Sequence, residues 1–110
     1  RVGLWAIQAA TPRWHEWYLL GRKLEAQERQ KVAAEMAEMD PIAMIPAAQG
    51  RFLFQFGTDD FYVPKARAQE FFAAAPEPKK ILLYDAGHGL NEKAIKDRAA
   101  WLETGLRLRQ

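Results

Sequence analysis

The stretch that decides the fold runs from residue 52 to residue 64 and reads FLFQFGTDDFYVP. Its first five residues, Phe52–Phe56, are almost continuously apolar and predict a buried strand. Gly57 and the two aspartates that follow Thr58 favour a turn, which ends the strand. Pro64 then opens a helix that we expect to extend to about Ala75. The stretch therefore predicts a strand, a polar loop and a helix in succession.

The same order recurs downstream. Ile81–Tyr84 is a second apolar strand, and the tight loop Asp85-Ala86-Gly87-His88-Gly89 follows it. Asn91 is a suitable N-cap for a final helix. Ile95, Ala99, Leu102 and Leu106 recur at helical spacing and predict the buried face of that helix.

Upstream, the apolar run Val2–Ala10 predicts a strand buried on both faces, as in a parallel sheet. Arg13–Leu20 predicts a short helix, and Arg22–Met39 predicts a longer, partly exposed one. Asp40 precedes Pro41 and predicts the N-cap of a helical turn that ends near Ile45. Because helices separate the strands, we expect an α/β fold: a three-layer parallel sheet of about three strands with flanking helices.

Composition excludes several classes of protein. The chain has 110 residues, 49% of them hydrophobic and 27% charged, which is typical of one folded domain. The net charge of +2 arises from interspersed charges, so we expect no nucleic-acid partner. No leader peptide or membrane-spanning run is visible, so we expect a cytoplasmic protein without a membrane partner. The first residue is Arg1 rather than Met, so we expect a processed product or a piece of something longer.

Two polar loops carry residues suited to acid–base chemistry. Asp60 follows the strand at 52–56, and His88 follows the strand at 81–84. Function in an open parallel sheet collects at the carboxyl ends of the strands, so these side chains can meet if the strands are neighbours. A carboxylate that orients an imidazole makes a general base. Taken singly, Asp60 could be a turn residue and His88 an ordinary loop histidine.

The remaining polar residues give weaker signals. We expect His15 to be structural or exposed. With no cysteine and only two separated histidines, we expect no metal site and no cofactor. The four tryptophans, Trp5, Trp14, Trp17 and Trp101, predict core and helix packing rather than a stacking surface for bases.

The motifs Gly-Thr-Asp-Asp-x-x-Val-Pro at 57–64 and Asp-Ala-Gly-His at 85–88 resemble the C-terminal part of an α/β-hydrolase. The nearest members are the dienelactone-hydrolase and prolyl-oligopeptidase-like enzymes. The resemblance implies that Asp60 is the acid and His88 the base of a Ser-His-Asp triad, whereas Asp59 does not fit the register. It implies one domain over 1–110, with a strand and lid-like helices in 1–49 and the acid and base loops in 50–110.

The sequence departs from that family at the nucleophile. The chain contains no serine and no cysteine, and none of its three threonines lies in a G-x-S-x-G elbow between a strand and a helix. The resemblance therefore implies a partial α/β-hydrolase fold, from a serine hydrolase that cleaves an ester, thioester or amide. The nucleophile would come from outside residues 1–110, so we expect this chain alone to be inactive.

Two alternatives remain open. The chain could be a non-catalytic α/β module that acts by self-association or partner binding. A small nucleotide-binding domain is weaker, because no G-x-G-x-x-G follows any strand. Strand 2–10 has an open apolar edge, and such an edge pairs readily with a further strand. We therefore predict a homo-oligomer or a chain docked onto a nucleophile-bearing partner.

Overall fold

Three parallel strands form the centre of the computed structural model, which describes residues 3–20 and 22–108. The strands are β1 (Gly3–Gln8), β2 (Gly50–Gly57) and β3 (Lys79–Tyr84), and their order in the sheet is β1-β2-β3. Both pairings are parallel, as expected when helices connect successive strands. The predicted α/β class and the open three-stranded sheet with flanking helices are confirmed.

Five helices complete the described chain. They are α1 (Trp14–Leu19), α2 (Ala26–Ala37), α3 (Pro41–Met44), α4 (Lys65–Ala74) and α5 (Glu92–Leu108), and a 3-10 turn, Ile45–Ala47, follows α3. The helix predicted over Arg22–Met39 is shorter than expected and has no buried residue. Among these helices none is both long and apolar enough to cross a membrane.

The core lies between β2 and α4. Phe52, Phe54 and Phe56 point to one face of the central strand and are at most 1% exposed. Phe71 of α4 packs edge-on against Phe54 with ring centroids 5.4 Å apart. This packing buries the strand that the 52–56 sequence predicts, and it holds the polar loop after that strand at one edge of the sheet.

The first strand differs from its prediction. We expected 2–10 to be buried on both faces, but β1 spans only Gly3–Gln8, and Val2 lies outside the described residues. In the described part of the chain, β2 is the one strand that pairs with β1. Trp5 is 46% exposed, although its ring stacks on Phe52 at 6.0 Å. The prediction of burial on both faces is wrong, because the face that carries Trp5 and Ile7 borders an open cavity in the described part of the chain.

The buried face of α5 also differs from the prediction. Ile95 and Leu106 of the predicted apolar stripe are 57% and 54% exposed. The helix instead turns Ala94 and Gly105 inward. Gln55, fully buried on the facing side of β2, donates from Nε2 to the Ala94 carbonyl and accepts at Oε1 from Arg98. The buried Gln55 therefore packs against the face of α5 that carries small and polar residues. Apolar periodicity alone does not predict this contact.

Candidate functional site

The loops that follow β2 and β3 meet at one edge of the sheet. Gly57 and Tyr84 are paired at the ends of these neighbouring strands. Beyond them, the Thr58 amide donates to the Tyr84 carbonyl at 2.8 Å, and the Asp59 amide donates to the Ala86 carbonyl at 3.0 Å. The strand adjacency that the sequence analysis required is present, so both polar loops emerge on the same side.

Gly57 permits the close approach of these loops. A Cβ atom at this position would collide with the carbonyl oxygens of Ala86 and Gly87, which belong to the backbone and cannot rotate away. The absence of a side chain at Gly57 therefore allows the 85–89 loop to cross directly over the end of β2. This crossing carries His88 toward Asp60.

Asp60 and His88 form a hydrogen-bonded pair. Oδ2 of Asp60 lies 2.8 Å from Nδ1 of His88. The Asp60 side chain is fully buried, whereas the His88 side chain is 41% exposed. The other carboxylate oxygen, Oδ1, accepts hydrogen bonds from the backbone amides of Tyr62 at 2.7 Å and Val63 at 3.0 Å. The loop thus fixes the carboxylate through its own backbone, and the predicted proximity of Asp60 and His88 is present.

This arrangement determines which nitrogen of His88 is available for chemistry. A carboxylate accepts hydrogen bonds and does not donate them, so Nδ1 of a neutral ring carries the proton beside Asp60. Nε2 then has a free lone pair, and no side chain within residues 3–20 and 22–108 forms a hydrogen bond with it. An imidazole held this way can take a proton at Nε2 while Asp60 stabilises the resulting cation.

Asp59 is placed differently from Asp60. It is exposed, and its contribution to the loop is the backbone hydrogen bond to Ala86. The structure therefore brings His88 together with Asp60, the residue that the Gly-x-x-Asp spacing selects, and leaves Asp59 at the surface.

Two aromatic rings flank His88. The Tyr62 ring centroid lies 5.2 Å from the imidazole, and the Trp17 ring centroid lies 5.7 Å from it. Trp17 also donates from Nε1 to the Tyr62 carbonyl at 2.9 Å, which joins α1 to the loop after β2. Trp17 is 38% exposed, so it borders the site rather than the core that its sequence predicted.

Two charged pairs hold α1 and the residue before it against α4. Glu16 accepts two hydrogen bonds from Arg67, at 2.9 and 2.8 Å, and Arg13 donates two to Glu70, at 3.1 and 2.8 Å. The Arg67 hydrogen bond lowers the pKa of Glu16, and the Arg13 hydrogen bond lowers the pKa of Glu70. Both carboxylates therefore stay ionised and paired at neutral pH, and these pairs join the helix that carries Trp17 to α4.

A second histidine–aspartate pair lies behind the site. Nδ1 of His15 is 2.6 Å from Oδ2 of Asp40, and these side chains are 16% and 1% exposed. Asp40 occupies the predicted N-cap position of α3, but its side chain makes no capping hydrogen bond and binds His15 instead. The predicted N-cap position of Asp40 is confirmed, and its buried carboxylate bonds the His15 ring and backbone amide rather than the helix.

Comparison with known proteins does not assign a family. No protein-family model matches the sequence, and no curated protein is significantly similar to it. Within residues 3–20 and 22–108, no three histidine or acidic side chains gather where a metal ion could bind. The chemistry of the site therefore has to be argued from the Asp60–His88 pair and its surroundings.

The sequence analysis missed two parts of the site. Tyr62 follows Asp60 by two residues, and this proximity in the chain was a usable signal for a residue beside the site. Trp17 lies 71 positions before His88, and no local pattern links the two. His15 and Asp40 are 25 positions apart and likewise carry no motif.

Proposed function

We propose that this chain supplies the acid and base of a Ser-His-Asp hydrolase site that acts on an ester, thioester or amide. The single observation that carries the proposal is the buried Asp60 carboxylate, bonded to Nδ1 of a His88 ring that is itself partly exposed. In this role Asp60 orients His88 and stabilises its protonated form. The α/β-hydrolase resemblance of residues 50–106 supports the same assignment of acid and base.

In the proposed reaction His88 acts first as base and then as acid in each of two half-reactions. Nε2 accepts the proton of a serine hydroxyl as the serine oxygen bonds to the substrate carbonyl carbon. The same proton passes to the leaving oxygen, sulfur or nitrogen as its bond to that carbon breaks. Water then adds to the acyl carbon, again through Nε2, and releases the acid and the free serine.

The nucleophile has to come from outside residues 1–110, because this sequence contains neither serine nor cysteine. We propose that it lies on a polypeptide segment, in the same protein or another, whose strand pairs with the outer edge of β1. That edge has no partner in the part of the chain that the structure describes. The Cα radius of gyration is 15.6 Å, against about 13 Å for a compact domain of this length. The open shape supports docking onto further structure.

The alternative is a non-catalytic module that associates with itself. The exposed apolar residues at both faces near β1, Trp5 and Leu106 among them, favour it as much as they favour docking. A twofold pairing of β1 with its own copy would cover the same edge. The two proposals differ in what else the native particle contains.

Native mass spectrometry of the natural particle, followed by sequencing of its polypeptides, tests the proposal. We expect residues 1–110 to be accompanied by a segment with a G-x-S-x-G elbow, either continuous with them or in a second chain. A particle built of residues 1–110 alone, at a mass that is a multiple of 12.6 kDa, contradicts the hydrolase proposal and supports self-association.

A further inference from the structure

An aromatic groove begins at the catalytic pair. Trp17, Leu20, Tyr62 and His88 line a cavity of about 310 Å³. A second cavity of about 420 Å³ shares Trp17, Leu20 and Tyr62, and extends to Phe61 and Arg67. Because three residues line both cavities, the two are neighbours. We call the first cavity, with its four residues, the aromatic groove.

The walls of the aromatic groove are apolar and accessible. Leu20 is 57% exposed and Tyr62 is 49% exposed, while the neighbouring Phe61 reaches 77%. Exposed apolar side chains that cluster beside polar groups, as they do here beside Asp60 and His88, are typical of ligand-binding sites. The ring faces of Trp17 and Tyr62 offer flat contact area with little loss of conformational freedom on binding.

The charges near the groove cancel. Glu16 and Arg67, which line the second cavity, bind each other through two hydrogen bonds. The pKa of Glu16 is lowered and that of Arg67 is raised by this contact, so both remain charged and paired at neutral pH. Neither is free to neutralise a charged ligand, so a charged group would lose hydration on entering the groove and gain no contact with Glu16 or Arg67.

We propose that the aromatic groove binds an uncharged aromatic group of the substrate. The identity of the scissile bond rests on the proposed hydrolase function, whereas binding in the groove requires no nucleophile. An enclosed cavity of about 150 Å³ holds a benzene ring, and the aromatic groove, at about 310 Å³ and open to solvent, offers contact area for a fused two-ring group. The substrate class is therefore an ester, thioester or amide that carries a neutral aromatic substituent next to the carbonyl carbon or on the leaving group.

Titration of the 110-residue chain with 2-naphthylmethanol tests this inference, with NMR observation of the Trp17 indole and the His88 ring. We expect saturable shifts of both signals, and weaker binding of the anion 2-naphthoate and of the cation 2-naphthylmethylammonium. Trp17→Ala should weaken binding by about tenfold, which corresponds to about 1.4 kcal/mol and lies within the range for one aromatic contact.

The controls separate groove binding from loss of folding. Trp14→Ala changes an exposed tryptophan on the same helix, outside the groove, and should leave the affinity unchanged. Leu20→Ala removes an exposed groove residue at little risk to the fold, and should also weaken binding. Absence of a saturable shift at Trp17, or equal shifts at Trp5 and Trp14, would overturn the inference. Binding by the isolated chain requires no serine and is therefore judged apart from the proposed function. A natural particle in which no serine reacts would refute the function and leave the groove intact, whereas absence of saturable binding would refute the groove alone.

Discussion

Gly57, at the end of β2, lies directly beneath the carbonyl group of Ala86 in the loop that carries His88. The contact leaves no room for a side chain at Gly57, and it determines how closely the 85–89 loop approaches the end of β2. His88 depends on this crossing for its distance to Asp60, so a residue with no polar side chain controls the geometry of the pair.

Gly57→Ala should therefore displace the 85–89 loop and weaken the Asp60–His88 hydrogen bond. We expect loss of the protected Nδ1 proton signal of His88 in NMR spectra, and a fall in stability of about 1–3 kcal/mol from the backbone clash. Gly87→Ala is the matched control, because a Cβ at Gly87 meets nothing within 4 Å. If Gly57→Ala preserves the Nδ1 signal, the loop does not need the close approach.

Asp60→Asn should change the tautomer of His88. The amide nitrogen of asparagine would face Nδ1 and donate to it, which moves the ring proton to Nε2 and removes the lone pair that the proposed mechanism uses as base. We expect ring ¹⁵N shifts to show this exchange. Stability should fall by about 1–3 kcal/mol, since the carboxylate hydrogen bonds are charge-assisted.

Asp59→Asn provides the comparison within the same loop. Asp59 is exposed, so its substitution should change stability by no more than about 0.5 kcal/mol and leave the His88 tautomer unchanged. Equal effects at the two positions would remove the distinction between Asp59 and Asp60.

His15 should stabilise the fold through Asp40. His15→Ala leaves the Asp40 carboxylate, whose side chain is 1% exposed, without its ring partner, and should cost about 2–4 kcal/mol. The double substitution His15→Ala with Asp40→Asn should cost less than the sum of the single ones, because the buried charge is then gone. Chemical denaturation of the four proteins gives this coupling energy, and strict additivity would show that the pair is not coupled.

Acid should loosen α1 from α4. The pKa of Glu16 is lowered in the folded state by its hydrogen bonds to Arg67. Its stabilising contribution is thus fully present above the ordinary glutamate pKa of about 4.3, and is lost as the pH falls through the lower folded-state value. We expect the Trp17 indole signal to move toward its unfolded position over this acid range.

Glu16→Gln should abolish much of that acid response and weaken the α1–α4 contact at neutral pH. Glu103→Gln, on the exposed side of α5, is the control that leaves the Trp17 signal unaffected. A Trp17 signal with the same pH dependence in Glu16→Gln and in the parent protein contradicts this assignment.

The strands and the site loops were predictable because each has a local cause. Phe52–Phe56 is apolar and is flanked by turn residues, and the aspartate and histidine follow strands that parallel pairing brings to one edge. The buried face of α5 was not predictable from periodicity. Its partner on β2 is Gln55, whose hydrogen bonds to Ala94 and Arg98 override the apolar stripe.

The incomplete burial of the β1 faces and the ring of Trp17 over His88 also escaped prediction, whereas the open edge of β1 was expected. The burial of β1 depends on which elements cover the sheet, and this is a property of the whole fold. The position of the Trp17 ring depends on the Glu16–Arg67 pair, whose partners are 51 positions apart. Local sequence patterns do not predict contacts between residues so far apart in the chain.

The most direct test of the central claim is labelling of the natural particle with a fluorophosphonate, which reacts covalently with activated serines. We predict one labelled serine, in a G-x-S-x-G segment outside residues 1–110, with labelling lost in His88→Gln and retained in Asp59→Asn. The isolated 110-residue chain should remain unlabelled and should form no acyl-enzyme with an activated ester. A natural particle with no labelled serine, or one labelled equally well with His88→Gln, would contradict the account.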